Sequence, residues 1–227
     1  EQLGAFLTDT DRVFAYAINE SKNVVLMMSV KSDKDQILPT TTPIIQKGEV
    51  LPWLYEYNGI VPPLTQLTVG AKGLGVNVTS PEPDAVVRKM PVLIRVGEKI
   101  YPSMLLENIR LVNRSKRIKV IAKQHGIDEI LVSKKAGIPV NHNAEMYINY
   151  ADPEKYIQLS VEQVFSTEHA DKIKGRIVIL GMDAAGLSVL KYTPHGLTTD
   201  QMITAQALDT TMTGDYLYRI PKADTYE

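Results

Sequence analysis

The chain has 227 residues, 44% of them hydrophobic and 22% charged, ordinary values for a globular protein large enough to bury a core. Lys plus Arg number 25 and Asp plus Glu 26, a balance without the basic excess of a nucleic-acid binder or a polybasic membrane patch. Cysteine is absent, which excludes a disulfide framework, a thiolate zinc site, an iron–sulfur cluster and a Cys nucleophile, but does not fix the compartment.

No apolar run approaches the roughly 18 residues of a membrane span, and no signal peptide is visible at Glu1. The opening Glu1-Gln2-Leu3-Gly4 lacks an initiator Met and reads as a fragment of a longer polypeptide. Asp9–Lys22 has the pattern of a helix, capped by Asp9 or Asp11, with Val13, Phe14, Ala17 and Ile18 on one face. Val24–Val30 follows as a buried strand, giving half of an α/β unit.

Residues 31–63 hold five prolines and little periodicity, and read as a surface excursion with short strands. Trp53, Tyr55 and Tyr57 alternate, so they can share one strand face. That face is either an edge packed on the domain or an aromatic-lined pocket. A helix is expected over Leu64–Lys72, ended by Gly73-Leu74-Gly75, and Val76-Asn77-Val78 begins a strand. Val86–Val96 is extended, and Gly97-Glu98-Lys99 turns it into a hairpin with Ile100-Tyr101. Ser103 caps a helix running through Val112, with Leu105, Leu106, Ile109 and Val112 as its apolar face.

Ile118–Ala122 and Ile127–Val132 read as strands joined at Gln124-His125-Gly126, with two more at Ile138-Pro139 and Met146–Tyr150. The basic residues around 114–123 fit the wet face of an edge strand better than an anion patch. Ser160 caps Val161–Phe165, and Ala170–Ile173 follows a turn. The apolar run Ile177–Leu180 is expected to be an interior strand of the main sheet. Ala205–Thr213 is a helix ended by Gly214, expected to cover that sheet. The class that follows is α/β: a single domain, a three-layer sandwich with a mixed central sheet.

The tests for chemistry are negative. In Gly181-Met182-Asp183-Ala184-Ala185-Gly186, Leu187 and Ser188 stand where a phosphate loop needs Lys and Ser or Thr, and the glycine spacing does not fit a dinucleotide fold. No Gly-x-Ser-x-Gly elbow surrounds Ser103, Ser160 or Ser188. His125, His142, His169 and His195 never pair at metal-ligand spacing. Asp128 and Glu129 are strand neighbours and point to opposite faces. No cofactor, catalytic metal or nucleic-acid partner is expected.

A pattern spread over residues 9–219 carries more information. It comprises Asn23-Val24-Val25-Leu26, then Gly75-Val76-Asn77, then Asp84, Val86, Val87, Arg88 and Pro91, then Tyr101-Pro102-Ser103, Ile138-Pro139 and Asn149-Tyr150. It continues with Lys174–Gly181, Ala184-Ala185-Gly186-Leu187, Thr193-Pro194, Gly196, Ala205–Asp209 and Gly214-Asp215-Tyr216-Leu217. In order and spacing this resembles the type-2 CHASE domain, the cyclase- and histidine-kinase-associated sensory extracellular module. Met202-Ile203-Thr204-Ala205 stand where that family usually has Glu-x-His-Ala. The family's usual opening strand–helix–strand has no counterpart before Asp9, so a neighbour of Val24–Val30 is expected to be missing.

The resemblance implies a sensor rather than an enzyme, in the extracytoplasmic part of a bacterial membrane receptor. Its output would be an adenylate or guanylate cyclase or a kinase. Residues 1–220 would form the sensor, and 221–227 the lead-in to a following membrane span. A small-molecule or protein signal and a homodimer are expected partners, with the membrane reached through flanking segments. The rivals are a soluble α/β enzyme and a purely structural dimerisation module. The input site is expected in Met182–Ser188 and Tyr192–Gly196, near a helix N-terminus, with Asp183, Ser188, Thr193 and His195 as ligand-binding side chains.

Overall fold

A computed structural model describes residues 9–33, 39–133, 136–184 and 189–218. These fall into two compact units. The first comprises the described residues up to Ser80 together with Lys89–Tyr147; the second comprises Pro81–Arg88 and Ile148–Leu217.

In the first unit, α1 (Thr10–Ser21) starts where the Asp9 carboxylate accepts from Arg12 N at 3.1 Å. It leads into β1 (Val25–Lys31). Then come β2 (Ile44–Lys47), β3 (Gly59–Val61) and a single-turn α2 (Thr65–Thr68), shorter than the expected helix. Next are β4 (Gly73–Val76), β5 (Ser80–Pro81) and β6 (Val87–Pro91). The extended run from Val86 breaks at Val92, whose N–H bonds to Ala144 O, before β7 (Leu93–Val96) and β8 (Lys99–Pro102) close a hairpin at Gly97. Ser103 Oγ accepts from Leu106 N and starts α3 (Met104–Val112), as its position in the sequence predicts. The unit ends with β9 (Ile118–Lys123), β10 (Gly126–Leu131), β11 (Gly137–Ile138) and β12 (Glu145–Tyr147).

The sheets are mixed, which bears out the α/β class. The order β3-β1-β4 has β1 parallel to β4 and antiparallel to β3. The order β11-β10-β9-β2 has β9 antiparallel to β10 and parallel to β2. β9 is therefore interior to its sheet rather than an edge. Its lysines still face water, because Ile118, Val120 and Ala122 alternate inward. A third sheet runs β12-β6-β5.

The parallel register places Val25 and Met27 of β1 beside Gly73 and Gly75 of β4. Paired residues share a face, and on this one α3 lies directly on the glycines. A Cβ on Gly75 would sit 2.7 Å from the Met104 backbone, and one on Gly73 would collide with the Glu107 carboxylate. The glycines are what let helix and strand approach so closely. On the opposite face Met28, Leu74 and Val76 join Ile60, Ile94, Val96 and Tyr101 in a buried cluster.

The second unit holds α4 (Val161–Phe165), α5 (Ala170–Ile173), the hairpin of β13 (Leu190–Thr193) and β14 (Gly196–Thr199), and α6 (Asp200–Thr213). Ser160 and Gln163 form a capping box on α4. Thr199 caps α6, and Gly214 ends it in the left-handed conformation at φ 78°.

One expectation fails here. Ile177–Leu180 is not a strand, and pairs with no strand among the described residues. Val178 is 51% and Leu180 82% exposed. An apolar run supplies side chains that favour burial, but a strand also needs a neighbour for its N–H and C=O groups. The hairpin at 190–199 lies where only a turn was expected.

Candidate ligand site

Among the described residues no hydrogen bond or ion pair joins the expected site residues Asp183, Thr193 and His195 to one another. Asp183 is exposed on the loop after Leu180, and His195 is exposed at the tip of the β13–β14 hairpin. Thr193 is buried, but its hydroxyl donates to Gly196 O at 2.8 Å, within the hairpin itself. Ser188 lies outside the described residues. The expected neighbourhood with the α6 N-terminus is present at one point, where Gln201 Nε2 donates to Met182 O at 3.1 Å. A shallow depression of about 60 Å³ in this unit lies elsewhere, between Asn149, Lys155, Asp209 and Thr213.

A larger concavity than this depression lies in the first unit and uses the aromatic segment. Pro52 sits in a one-turn 3₁₀ helix over Leu51–Trp53, so Trp53 leaves the strand-like run. Tyr55 and Tyr57 continue it, flanking a parallel bridge between Glu56 and Arg95. Arg95 N donates to Tyr55 O and Tyr57 N to Arg95 O, each at 2.9 Å. Glu56 turns its carboxylate to the Arg95 guanidinium at 2.7 Å. Asn58 Nδ2 donates to Ser32 O at 2.7 Å, tying this segment to the end of β1. Val30, Lys31, Ser32, Glu56, Tyr57 and Asn58 line a cavity of about 300 Å³. That is the low end of the range for small-molecule pockets. Its lining sets the Lys31 side chain, the Glu56 carboxylate and the Asn58 carboxamide around the Tyr57 ring, with the carboxylate engaged by Arg95 and the carboxamide NH2 by Ser32 O.

Beside it stands a buried polar cluster that sequence reasoning missed. Strand β12 pairs with β6 so that Tyr147 opposes Lys89, and Glu145 opposes Pro91. The Glu145 side chain is 1% exposed and accepts from Lys89 Nζ at 2.9 Å and Asn141 Nδ2 at 2.7 Å. Burial alone would raise this carboxyl; the Asn141, Ser80 and Lys89 donors outweigh it and hold it below its ordinary range. For Lys89 burial pulls down, and the Glu145 carboxylate wins and raises it. Tyr55 is raised by burial first and then by the Glu145 charge. Tyr57 is raised by burial, then by Tyr55 and Glu145. The segment Tyr55–Asn58 thus joins cavity and cluster. Its tyrosines were legible in the sequence, whereas Glu145 lies 56 residues from Lys89 and nothing local pairs them.

Four residues of the CHASE-like pattern, Gly75, Asp84, Arg88 and Ser103, have local structural roles. Asp84 takes a bidentate grip on Arg88 at 2.7 and 3.0 Å and accepts from Val86 N. Those bonds hold the Asp84 carboxyl down at about 2. Gly75 admits α3, and Ser103 caps it. Among the described residues no group of three or more acidic or histidine side chains could hold a metal ion. No helix among them is long and apolar enough to cross a membrane.

A family model for the CHASE2 domain matches residues 2–225. The chain belongs to the CHASE2 domain family. Searches of curated proteins and of solved structures each returned no match. CHASE2 domains are extracellular sensory modules rather than catalytic ones.

Proposed function

We propose that this chain is the signal-input domain of a bacterial membrane receptor, held outside the cytoplasmic membrane and governing an adenylate or guanylate cyclase or a kinase. The observation that carries this reading is the CHASE2 match across residues 2–225. The domain works as a two-state element: a signal binds one arrangement better than the other and shifts their populations by that difference in affinity. The input is a small polar molecule in the cavity at Tyr57 and Asn58. There Glu56, held by Arg95, and the Tyr55–Glu145 contact link the cavity to the hydrogen bonds of β6, β7 and β12.

A second input position, around Asp183, Thr193 and His195, is favoured by the Gln201–Met182 tether, which holds that loop at the start of α6. A thermal-shift screen of metabolites separates the two. A ligand read at Tyr57 loses its shift in Tyr57→Ala and Asn58→Ala and keeps it in Asp183→Ala and His195→Ala; the reverse pattern selects the loop. An alkaline-phosphatase fusion to the full-length receptor tests the compartment. A fusion point within this domain that leaves the phosphatase inactive, because its disulfides form only outside the reducing cytoplasm, would overturn the receptor reading.

A further inference from the structure

The second unit leaves a specific valence open at Ile177–Leu180. The N–H and C=O groups of Ile177–Gly181 make no hydrogen bond among the described residues. The side chains of Val178 and Leu180 stand in solvent on one face, while Ile179 on the other is half-buried. An apolar segment with an unpaired polar backbone is a template for a second strand. Its flanks say which strand. Lys174 and Arg176 stand on its N-terminal side and Asp183 on its C-terminal side, and none of the three has an ion-pair partner among the described residues. The segment is therefore positive at one end and negative at the other.

We infer that Ile177–Leu180 pairs antiparallel with the same segment of a second copy of this chain, across a two-fold axis. Antiparallel pairing sets the Lys174–Arg176 end of each copy against the Asp183 end of the other, whereas parallel pairing would stack like charges. A two-fold axis through such a ladder makes one residue oppose its own copy. With Val178 at that position Ile177 opposes Ile179, and with Ile179 there Val178 opposes Leu180, so apolar residues face one another on both sides of the axis. Gly175 begins the segment at φ 72° with no heavy atom near its Cβ position, so the approach of a second chain is open there. The interface is isologous and closes at two copies, so it yields a dimer rather than a filament. It holds whatever the domain senses, and so stands apart from the choice of input site.

Sedimentation equilibrium of the 227-residue chain tests it. The wild type is expected to be dimeric. Leu180→Lys, a change at an exposed position that leaves the fold intact, should raise the dimer Kd by at least about tenfold, ~1.4 kcal/mol. Arg176→Asp should weaken the dimer as well, and adding Asp183→Arg should restore it. A monomeric wild type overturns the inference, whether or not its Ile177–Leu180 amides are protected from exchange. So does a dimer indifferent to Leu180→Lys, or a double charge reversal that fails to rescue Arg176→Asp.

Discussion

Helices α3 and α6 both bury polar side chains, but in opposite surroundings. In the first unit α3 packs Leu105, Leu106 and Ile109 into a core and buries one ion pair, Glu107 with Arg110 at 2.7 Å. Arg110 also donates to Lys72 O and Ser115 O, so one side chain fastens the helix to the chain on both sides of it. In the second unit α6 buries Ile203, Ala207 and Leu208 beside Thr204, Gln206 and Thr210. What grips it is a row of hydrogen bonds. Gln206 accepts from Ala151 N at 2.8 Å and from Tyr156 OH at 3.2 Å, and donates to Ala151 O at 3.1 Å. Thr210 Oγ1 accepts from Asn149 N at 3.0 Å, and Asp209 accepts from Lys155 at 2.8 Å. Phe165, Val161 and Leu180 meanwhile stay exposed. Apolar burial contributes cooperatively over a whole surface, whereas a polar clamp contributes bond by bond. The first unit should therefore open only with global unfolding, and the second at lower free energy.

The largest expected effect breaks the first unit. Arg110→Met leaves the Glu107 carboxylate buried without its cation and should cost about 3–5 kcal/mol in urea unfolding. A loss below about 1 kcal/mol would mean that the pair does not hold α3 in place. Next is Gly75→Ala, which forces the α3 backbone off β4 and should cost about 2–3 kcal/mol. The same substitution at Gly97, a hairpin turn with open space about it at φ 57°, should cost only the strain of a left-handed residue, about 1 kcal/mol. If the two losses were equal, the close approach at Gly75 would not be what the glycine serves.

The second unit has its own test in Gln206→Ala. It strands the Ala151 N–H and C=O and should cost about 2 kcal/mol. In hydrogen exchange the loss should appear in amides of α6 and residues 149–156, leaving those of β1 and β4 unchanged. Uniform loss of protection over both units would erase the distinction between core and clamp.

How much of this was legible in the sequence follows the same division. Caps at Asp9, Ser103 and Ser160, the Gly97 hairpin, the stop at Gly214 and the alternation in β9 are local signals, and each predicted its element. Ile177–Leu180 misled because its composition reports a need for burial and is silent about which chain edge meets it. The candidate site divides similarly. Tyr55 and Tyr57 announced an aromatic surface, but Glu145 and Lys89 meet only through the β6–β12 register, and the Ser32–Asn58 bond joins segments 26 residues apart. Asp183 and His195 were chosen for loop position, and no observed contact gathers them.

The Glu145–Lys89 pair makes a pH prediction. Glu145 has a lowered folded pKa, so its contribution is present above its unfolded value, about 4.3, and fades as pH falls through the folded one. Lys89 is raised, so its contribution is complete below about 10.4 and fades as pH rises through the folded value. Tyr55, raised as an acid, adds to the alkaline loss above about 10. Wild type should hold a stability plateau between those limits. Glu145→Gln should lower it by about 1 kcal/mol and flatten its acid shoulder. An unchanged acid shoulder would assign that loss to other carboxylates.

The smallest effect concerns Asp84 and Arg88, an ion pair within the family-like pattern whose side chains are 50% and 39% exposed. Two facts pull apart here: the geometry is bidentate, yet solvent reaches both groups, and the guanidinium also bonds Glu82 at 2.8 Å. Bidentate contact to a guanidinium stabilises the carboxylate locally and depresses its pKa to about 2, while water screens most of what that would contribute to folding. The depressed value means that any contribution is present above about 3.9 and is lost as pH falls through about 2. Arg88→Ala should therefore move the Asp84 carboxyl, followed by NMR titration, back towards its ordinary value of about 3.9, and leave the urea midpoint at neutral pH unchanged. A shifted midpoint would place this loop among the elements that hold the second unit together, and the polar clamp on α6 would then extend to the turn at 82–88.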